Sequence, residues 1–248
     1  VRFPSPASWY HQKELLLTAR ALFDIVISNK KIVGGLMKNK IETPKIPLEL
    51  EDLSLAIEAW ESKEEIKHGR FSNISIEYQS ASRVSFDKVV FENVIFSQSS
   101  LPEIELTDVI FDKCDLSNMD FNGSFLHRTE FRNCKLLGTN FANSRLQNVS
   151  FQGCVADLSL FRFSKFKQVK YTECSLVSGD FFQATPQKLE FSECNIDQAL
   201  MSGVKLKGVD LSDCSFERLQ VDIEDLDGCI ISDAQAASFV GLLGLIVK

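Results

Sequence analysis

The chain has 248 residues, 44% of them apolar, which is enough for one long domain or two short ones with a substantial core. A net charge of −7 argues against direct nucleic-acid binding, and no apolar run reaches the roughly 20 residues that a membrane-spanning helix needs. Phenylalanine occurs 20 times, against three tyrosines and two tryptophans, which indicates that one kind of buried position is filled many times.

Residues 1–36 share no pattern with the rest of the chain, and two interpretations of this N-terminal extension stay open. One is an amphipathic helix at about residues 12–28. The other is that the extension is not native, because the segment Gly34–Met37 can be encoded by a ribosome-binding site followed by a start codon. The first residues lack the basic-then-apolar order of a secretory signal, which favours a cytoplasmic location in a bacterium.

Residues 37–70 are predicted to cap the N-terminal end of the structure that follows. A charged, helix-like stretch runs from Ser62 to Lys67. The apolar residues ahead of it are expected to cover an open core, because a repeating β-structure exposes one at each end. These residues are Leu50, Leu53, Leu55, Ile57 and Trp60.

A repeat of five residues occupies about residues 71–226. Of the 27 positions spaced five apart from Phe86 to Phe216, all but Ala156 and Pro186 hold a large apolar residue. A second series of mostly small or β-branched residues lies two positions earlier. Neither a helix nor a flat strand has this period. Both series can point inward if the chain turns a corner after each repeat unit, so that four corners close one square coil.

The cysteines support a 20-residue coil, because six of them recur at that spacing: Cys114, Cys134, Cys154, Cys174, Cys194 and Cys214. In such a coil they stack in one column, about 4.8 Å apart. Their Cβ vectors then run parallel, which disfavours disulfides, and a linear column cannot form a tetrahedral zinc site. We expect buried free thiols, which fit a cytoplasmic protein.

These residues resemble the pentapeptide-repeat family, whose motif is roughly Ala-Asp/Asn-Leu/Phe-x-x. Clear matches are the segments Cys114–Asn118, Met119–Gly123, Thr139–Asn143 and Cys194–Ile196. The resemblance covers about residues 71–248 and implies an all-β, right-handed, quadrilateral parallel β-helix. The best-known bacterial members protect DNA gyrase and topoisomerase IV from quinolones or peptide toxins, as rod-like dimers that imitate DNA. The coil-interrupting loops of many resistance proteins are missing here.

Residues 227–248 are predicted to form a C-terminal helix and strand. Ser232 and Gln235 have the spacing of a capping box and begin a helix at about residues 233–243, with Gly244 as its stop and residues 245–248 as a strand. The stretch resembles the dimerising C-terminus of the gyrase-protecting members; the alternative is a simple cap on a monomer. The residues expected at a homodimer seam are Ala236, Phe239, Val240, Leu242, Leu243 and Leu245.

An acidic cluster adjoins the predicted seam, so two copies would double it. The resemblance implies that DNA mimicry is concentrated in this region, and the alternative is a solvated surface that keeps the dimer soluble. The candidate DNA-mimic residues are Asp210, Asp213, Glu217, Asp222, Glu224, Asp225 and Asp227.

A basic stripe flanks one column of inward residues and weakens the idea of a rod that imitates DNA on every side. It consists of Arg145, Lys165, Lys167, Lys205 and Lys207. Stacked like charges cost free energy, so this stripe either binds an acidic partner or nucleic acid, or is simply solvated. On the same side, Pro186 is expected to distort its coil because proline cannot donate to a β-ladder.

An apolar group occupies positions that normally point outward, around Leu160, Phe163 and Phe182, with Leu137, Leu158 and Val177 nearby. An exposed patch of this kind indicates a site for a protein partner. The alternative is a local bulge that turns some of these side chains inward beside the small Ala156.

No enzymatic activity, metal or cofactor is predicted, since the histidines are far apart in sequence and a filled solenoid implies no cleft. Two functions stay open for a non-enzymatic interaction protein. One is a homodimeric DNA mimic that binds and protects or modulates a type II topoisomerase. The other is a scaffold or regulatory solenoid with an unrelated protein partner. Neither involves a membrane, direct nucleic-acid binding or a small-molecule substrate.

Overall fold

One residue with left-handed backbone turns the chain at almost every fifth position. The computed structural model describes residues 41–54, 59–240 and 242, and in one coil these turn residues are Arg128, Asn133, Gly138 and Asn143, with φ between 48° and 65°. Glycine and asparagine tolerate this conformation better than other residues do. Extended segments join the turns, so four turns close one square coil, as the repeat predicts.

Parallel strands stack coil upon coil. The strands are β1 Glu51–Asp52, β2 Glu65–Lys67, β3 Gly69–Ser72, β4 Ser75–Glu77, β5 Ser85–Glu92, β6 Ile95–Ser97, β7 Glu105–Asp112, β8 Phe125–Arg132, β9 Arg145–Gln152, β10 Lys165–Thr172 and β11 Thr185–Ser192. The main sheet has the order β1-β3-β5-β7-β8-β9-β10-β11, with β2 also paired to β5, and β4 pairs with β6.

The rod has four sides, which we number from the coil of residues 124–143. Its inward residues Leu126, Phe131, Leu136 and Phe141 mark the first, second, third and fourth sides, and all four are buried. The eight-residue strands β5 and β7–β11 cover the first two sides. The other two are held mostly by isolated parallel bridges, such as the one between Asn140 and Leu160. This scaffold fixes which outward residues share a side.

An aromatic stack fills the second side of the core. Phe91, Phe111, Phe131, Phe151 and Tyr171 follow one another with ring centroids 4.6–5.0 Å apart and nearly parallel planes. The rings overlap because the strands that carry them pair in one constant register, in which each ring lies opposite the corresponding ring of the next coil. Stacking adds to the free energy gained by burying each ring.

The cysteine column forms as predicted, and all seven cysteines are buried and free. The Sγ atom of Cys134 lies 3.4 Å from the carbonyl oxygen of Phe111 in the preceding coil, and Cys154 makes the same contact with Phe131. Each thiol therefore acts as a small apolar filler with a weak donor.

The expected disturbance at Pro186 is also present. Phe166 in β10 is in register with Pro186 in β11, but the next pair is Lys167 with Lys188, so the register shifts by one residue at this point. It returns to its former offset at the pair Val169 and Leu189. Proline has no N–H to donate, which breaks the ladder at this point.

The helix expected at Ser62–Lys67 is wrong. Residues 65–67 form β2, in which Glu65 and Ile66 pair with Ser85 and Phe86 of β5. Pairing with the next coil outweighs the local helical pattern. The parallel register therefore begins upstream of the predicted boundary at residue 71.

Trp60 closes the N-terminal end of the core. Its buried ring packs edge-on to Phe71 and Phe86, at centroid distances of 6.2 and 5.2 Å. Its backbone N–H donates to Gln79 at 2.8 Å. Of the other apolar residues expected in an N-terminal cap, Leu55 and Ile57 lie outside the described residues, as does everything before residue 41.

Residues 41–50 form an N-terminal strap along the outside of the rod, which the sequence did not predict. The Lys45 N–H donates to Asp108 Oδ1 at 2.9 Å, and the Glu42 N–H lies 3.4 Å from Asn148 Oδ1. Asp108 and Asn148 occupy equivalent corners two coils apart. The strap therefore runs parallel to the rod axis, between the first and second sides.

The C-terminal end combines two 3-10 turns, Ile223–Asp225 and Asp233–Gln235, with a short helix α1 at Ala236–Val240. The helix predicted at 233–243 thus begins as a 3-10 turn, and the predicted stop and strand lie outside the described residues. Ser232 N–H donates to Gln235 Oε1 at 2.8 Å, as the capping pattern predicts. None of the helices in the described part of the chain is both long and apolar enough to cross a membrane.

Candidate interaction surfaces

An apolar patch covers the third and fourth sides in the middle of the rod. Its most exposed members are Leu137, Val155, Leu158 and Phe163, each between 43% and 56% exposed. The partly buried members are Leu160, Val177 and Phe182. The bulge considered as an alternative is wrong, because the bridges through Leu160 to the coils on either side continue in regular register. Val155 was not predicted from the sequence as a member of this group, although it occupies an outward position of the repeat.

Two residues of the apolar patch stand at corners. Leu158 and Phe163 have φ of 59° and 60°, a conformation that is rare for bulky side chains. The corners of the two preceding coils mostly hold asparagine or glycine: Asn118, Gly123, Asn133, Gly138, Asn143, Asn148 and Gly153. Leu158 and Phe163 therefore combine backbone strain with exposed apolar surface, a combination that packing among the described residues does not require.

The acidic cluster surrounds the last coil and does not share one side. Asp210 lies on the second side, Asp213 at the corner that follows it, Glu217 on the third side and Asp222 on the fourth, and all four are exposed. Glu224 and Asp227, on the first side, are exposed as well.

The assignment of Asp225 to the candidate DNA-mimic surface is wrong. Its carboxylate is buried and accepts hydrogen bonds from the Gly203 N–H at 2.6 Å and from Lys205 Nζ at 2.7 Å. The 3-10 turn Ile223–Asp225 brings this side chain against the preceding coil. Asp225 is therefore part of the fold and cannot imitate a phosphate.

The basic stripe divides into two parts. Lys205 and Lys207 lie directly beneath carboxylates of the next coil, Asp225 at 2.7 Å and Asp227 at 3.7 Å. Arg145, Lys165 and Lys167 make no ion pair with any residue that the structure describes. They surround a shallow groove on the first side, whose ends are at Phe125 and Gln187.

A buried ion pair holds the N-terminal strap. Arg128 donates to both carboxylate oxygens of Asp108, at 2.5 and 2.8 Å, and its guanidinium lies 3.8 Å from Glu42 of the strap. Burial alone would raise the pKa of Asp108, but the hydrogen bonds from Arg128 and Lys45 outweigh it and hold that pKa below its usual value. Burial and the adjacent Arg128 lower the pKa of His127, so its imidazole is neutral near pH 7.

The C-terminal segment first caps its own coil. Gln235 Nε2 donates to the carbonyl oxygens of Leu211 and Cys214, both at 2.7 Å. Phe239, which was expected at a dimer seam, is buried against Phe216 of its own chain, with ring centroids 5.6 Å apart.

Of the other expected seam residues, Ala236 and Val240 are partly buried and Leu242 is exposed. Leu243 and Leu245 lie outside the described residues. Among the described residues, no group of three or more His, Cys, Asp or Glu is placed to hold a metal ion.

The square coil, its aromatic stack and its cysteine column define a four-sided parallel β-solenoid built from five-residue units. Two family profiles match it, "Pentapeptide repeats (8 copies)" at residues 90–128 and "Pentapeptide repeat region" at residues 124–200. The chain is also 46% identical over 210 residues to "Uncharacterized protein YisX" of Bacillus subtilis (strain 168), across 85% of this chain and 99% of that protein. The chain belongs to the pentapeptide-repeat family.

Two solved structures are also similar, each at 19% identity. HetL of Nostoc sp. strain PCC 7120, described as involved in heterocyst differentiation regulation, matches 69% of this chain and 86% of its own, with a TM-score of 0.43. Trypsin-treated QnrB1, a plasmid-mediated fluoroquinolone resistance protein, matches 76% and 99%, with a TM-score of 0.39.

Proposed function

We propose that this chain is a non-enzymatic, cytoplasmic interaction protein that binds another protein through its apolar patch. The observation that carries the proposal is the pair Leu158 and Phe163, which are exposed at corners where the left-handed backbone disfavours large side chains. Exposed apolar area is stabilised by leaving water, at about 25 cal/mol per Å². A complex with a partner that covers the patch gains this free energy. Binding of this kind would explain why large apolar side chains stand at two left-handed corners.

The shape of the patch indicates what kind of partner fits. Leu137, Leu158 and Val177 lie in successive coils, about 4.8 Å apart along the rod. Phe163 and Phe182 add two rings in edge contact, 5.7 Å apart and inclined at 84°. The surface is rigid because each coil is bonded to the next. A partner with a matching apolar face binds here without ordering any loop of this chain, which keeps the entropic cost of association low.

The test uses the unchanged protein as bait in a pull-down from the native cytosol. The affinity of the captured protein is then measured for the unchanged protein and for the double variant Leu158→Asn/Phe163→Asn. Asparagine tolerates left-handed backbone, so the variant keeps or gains stability while it loses the patch. We expect the affinity to fall at least about tenfold, since two truncated apolar anchors cost more than about 1.4 kcal/mol.

The matched control is Gln98→Asn, which places asparagine at another left-handed corner of the third side, outside the patch. It should bind like the unchanged protein. A partner that binds the double variant as tightly as the unchanged protein would exclude the apolar patch as the binding surface.

A second candidate function is DNA mimicry toward a type II topoisomerase, such as DNA gyrase or topoisomerase IV. The observation that favours it is the ring of exposed carboxylates around the last coil, which includes Asp210, Asp213 and Asp222. Carboxylates in this arrangement can occupy a basic DNA-binding surface. A homodimer that joins through the C-terminal segment, with Leu242 at its seam, would place two such rings side by side.

A gyrase supercoiling assay tests this candidate. Inhibition or drug protection by the unchanged protein should be lost in the variant Asp210→Asn/Asp213→Asn/Asp222→Asn, which leaves the buried Asp225 intact. No effect of the unchanged protein at micromolar concentration would contradict DNA mimicry. Sedimentation of Leu242→Asp beside the unchanged protein tests the dimer separately.

A further inference from the structure

A groove of about 440 Å³ lies on the first side of the rod, on a different surface from the apolar patch. It extends across strands β8 to β11. Its outward lining consists of the cations Arg145, Lys165 and Lys167 together with Phe125, Gln147, Thr185 and Gln187. The inward residues Leu146 and Phe166 form its floor.

Like charges are stacked in this groove, and no carboxylate of residues 41–54 or 59–240 forms an ion pair with them. Arg145 and Lys165 are register partners in the adjacent strands β9 and β10, and Lys167 follows on the same strand. Like charges directly opposite each other on neighbouring strands destabilise a sheet. Elsewhere on this side the chain neutralises its cations, since Lys205 and Lys207 face Asp225 and Asp227. The groove therefore carries positive charge that no described residue of this chain offsets.

An apolar anchor stands at one end of the groove. Phe125 is the register partner of Arg145 in the preceding coil and is 38% exposed. Its ring stacks against His127, with centroids 6.2 Å apart and planes inclined by 11°. Because the pKa of His127 is lowered, this end is aromatic and uncharged near neutral pH.

The other end is polar and opened by a break in the ladder. Pro186 shifts the register between β10 and β11, and Thr185 and Gln187 on either side of it line the groove. The distance along the rod from Phe125 to Thr185 is three coil steps, or about 14 Å, and Arg145 and Lys165 lie at the two steps between. An extended peptide of about five residues spans this length at about 3.3 Å per residue.

We propose that this groove binds a short, extended, acidic segment of a partner protein, with an apolar residue on Phe125 and carboxylates on Arg145, Lys165 and Lys167. Alternate residues of an extended peptide point the same way, about 6.7 Å apart, whereas successive coils are about 4.8 Å apart. The long side chains of Arg145, Lys165 and Lys167 can span this difference, so the pattern that we propose is apolar-x-acidic-x-acidic. A nucleic acid fits less well, because three cations are few for a polyanion and the net charge of −7 repels one.

The experiment measures fluorescence anisotropy with a labelled peptide Leu-Ser-Glu-Ser-Glu, its Leu-Ser-Gln-Ser-Gln analogue and a labelled oligothymidylate. The acidic peptide should bind at least about tenfold more tightly than the neutral analogue, and its binding should weaken as salt rises from about 50 to about 300 mM. The double variant Lys165→Gln/Lys167→Gln should weaken it about tenfold, and Phe125→Ser several-fold.

The matched control is Lys170→Gln, which removes the same charge from the same strand but lies around the corner on the second side. Its affinity should stay within about twofold of the unchanged protein, because a surface charge outside the site acts only weakly. The proposal would be overturned if the acidic peptide did not bind at about 1 mM, a dissociation constant that corresponds to about −4.1 kcal/mol. Equal binding of the peptide by the Lys165→Gln/Lys167→Gln variant would also overturn it. So would tighter binding of the oligothymidylate than of the peptide. Thermal unfolding of each variant confirms that it is folded.

Discussion

The Nζ atom of Lys205 lies 2.7 Å from the Oδ1 atom of Asp225, one coil further along the rod. The contact joins the basic stripe to the acidic cluster, which looked like separate surfaces in the sequence. Residues at equivalent positions of successive coils stack on the same side, so a lysine in one coil and an aspartate in the next meet directly. This geometry neutralises part of both surfaces. Arg145, Lys165 and Lys167 are the part of the stripe that forms no ion pair within the described stretch of the chain.

Replacing Asp225 by alanine should destabilise the protein. The Gly203 N–H loses its acceptor and two charge-assisted hydrogen bonds to the buried carboxylate disappear, so the free energy of unfolding should fall by about 2 kcal/mol. Urea denaturation measures the change. Asp222→Ala, nearby in the chain and exposed, is the control and should change stability by less than about 0.5 kcal/mol. Equal effects of the two substitutions would show that Asp225 has no special structural role.

Replacing Tyr171 by phenylalanine should stabilise the protein. The hydroxyl of Tyr171 is buried in the aromatic stack without a hydrogen-bond partner among the described residues, and burial raises its pKa well above the usual value. Removing an unsatisfied buried hydroxyl should raise the free energy of unfolding by about 1 kcal/mol. The reverse change in the adjacent ring, Phe151→Tyr, should lower it, and thermal unfolding of both variants checks the pair. A loss of stability in Tyr171→Phe would mean that the hydroxyl has a partner.

Asp108 should make the stability depend on pH in the acid range. Its pKa is lower in the folded chain than in the unfolded chain, so its ionised form stabilises the fold at any pH above the unfolded value of about 3.9. That contribution is lost as pH falls through the folded pKa. Asp108→Asn should therefore cost about 3 kcal/mol at pH 7, and the difference should shrink below about pH 4.

Urea denaturation between pH 3 and pH 7 measures this dependence. Asparagine suits the left-handed backbone at this corner, where φ is 56°, so the substitution tests the charge and not the turn. Glu105→Gln on the same strand β7 is the control, because Glu105 is exposed. A difference between Asp108→Asn and the unchanged protein that is constant over this pH range would contradict the assignment.

The cysteines should not react in the native protein. All seven are buried, which keeps a reagent away from their Sγ atoms. In addition, burial raises the pKa of the Cys214 and Cys229 thiols to about 12, so these two thiols hold almost no thiolate at pH 8. Ellman's reagent should label none of them within minutes under native conditions and all seven in guanidinium chloride. Fast labelling of any thiol in the native state would show that its coil opens.

The coil could be predicted from the sequence because its signal repeats. Phe111 and Phe131 are one 20-residue coil apart, as are Cys134 and Cys154 and many other pairs. Two columns of residues with the same period are compatible with only one coil length. The strap could not be predicted, since the contact between Lys45 and Asp108 joins residues 63 positions apart and belongs to no pattern.

Irregular contacts also explain the errors at the candidate surfaces. Asp225 occupies an outward position of the repeat, but a 3-10 turn carries it inward, and no periodic argument contains that turn. Residues 65–67 have a helical composition and become a strand because a partner coil lies beside them. One end of the groove lies at the register shift beside Pro186. The direction of this shift follows only from the pairing of Lys167 with Lys188, which the sequence does not predict.

The N-terminal strap also restricts where the rod can gain or lose a coil. Lys45 is hydrogen-bonded to Asp108 in one coil, and Glu42 is hydrogen-bonded to Asn148 two coils further on. The length of the strap between Glu42 and Lys45 therefore fixes how many coils separate Asp108 from Asn148. A duplication or loss of one whole coil beyond Asn148 would lengthen or shorten the rod and leave the strap undisturbed. The same event between the two anchors would detach one of them, so the molecule can change length by whole turns only toward its C-terminal end.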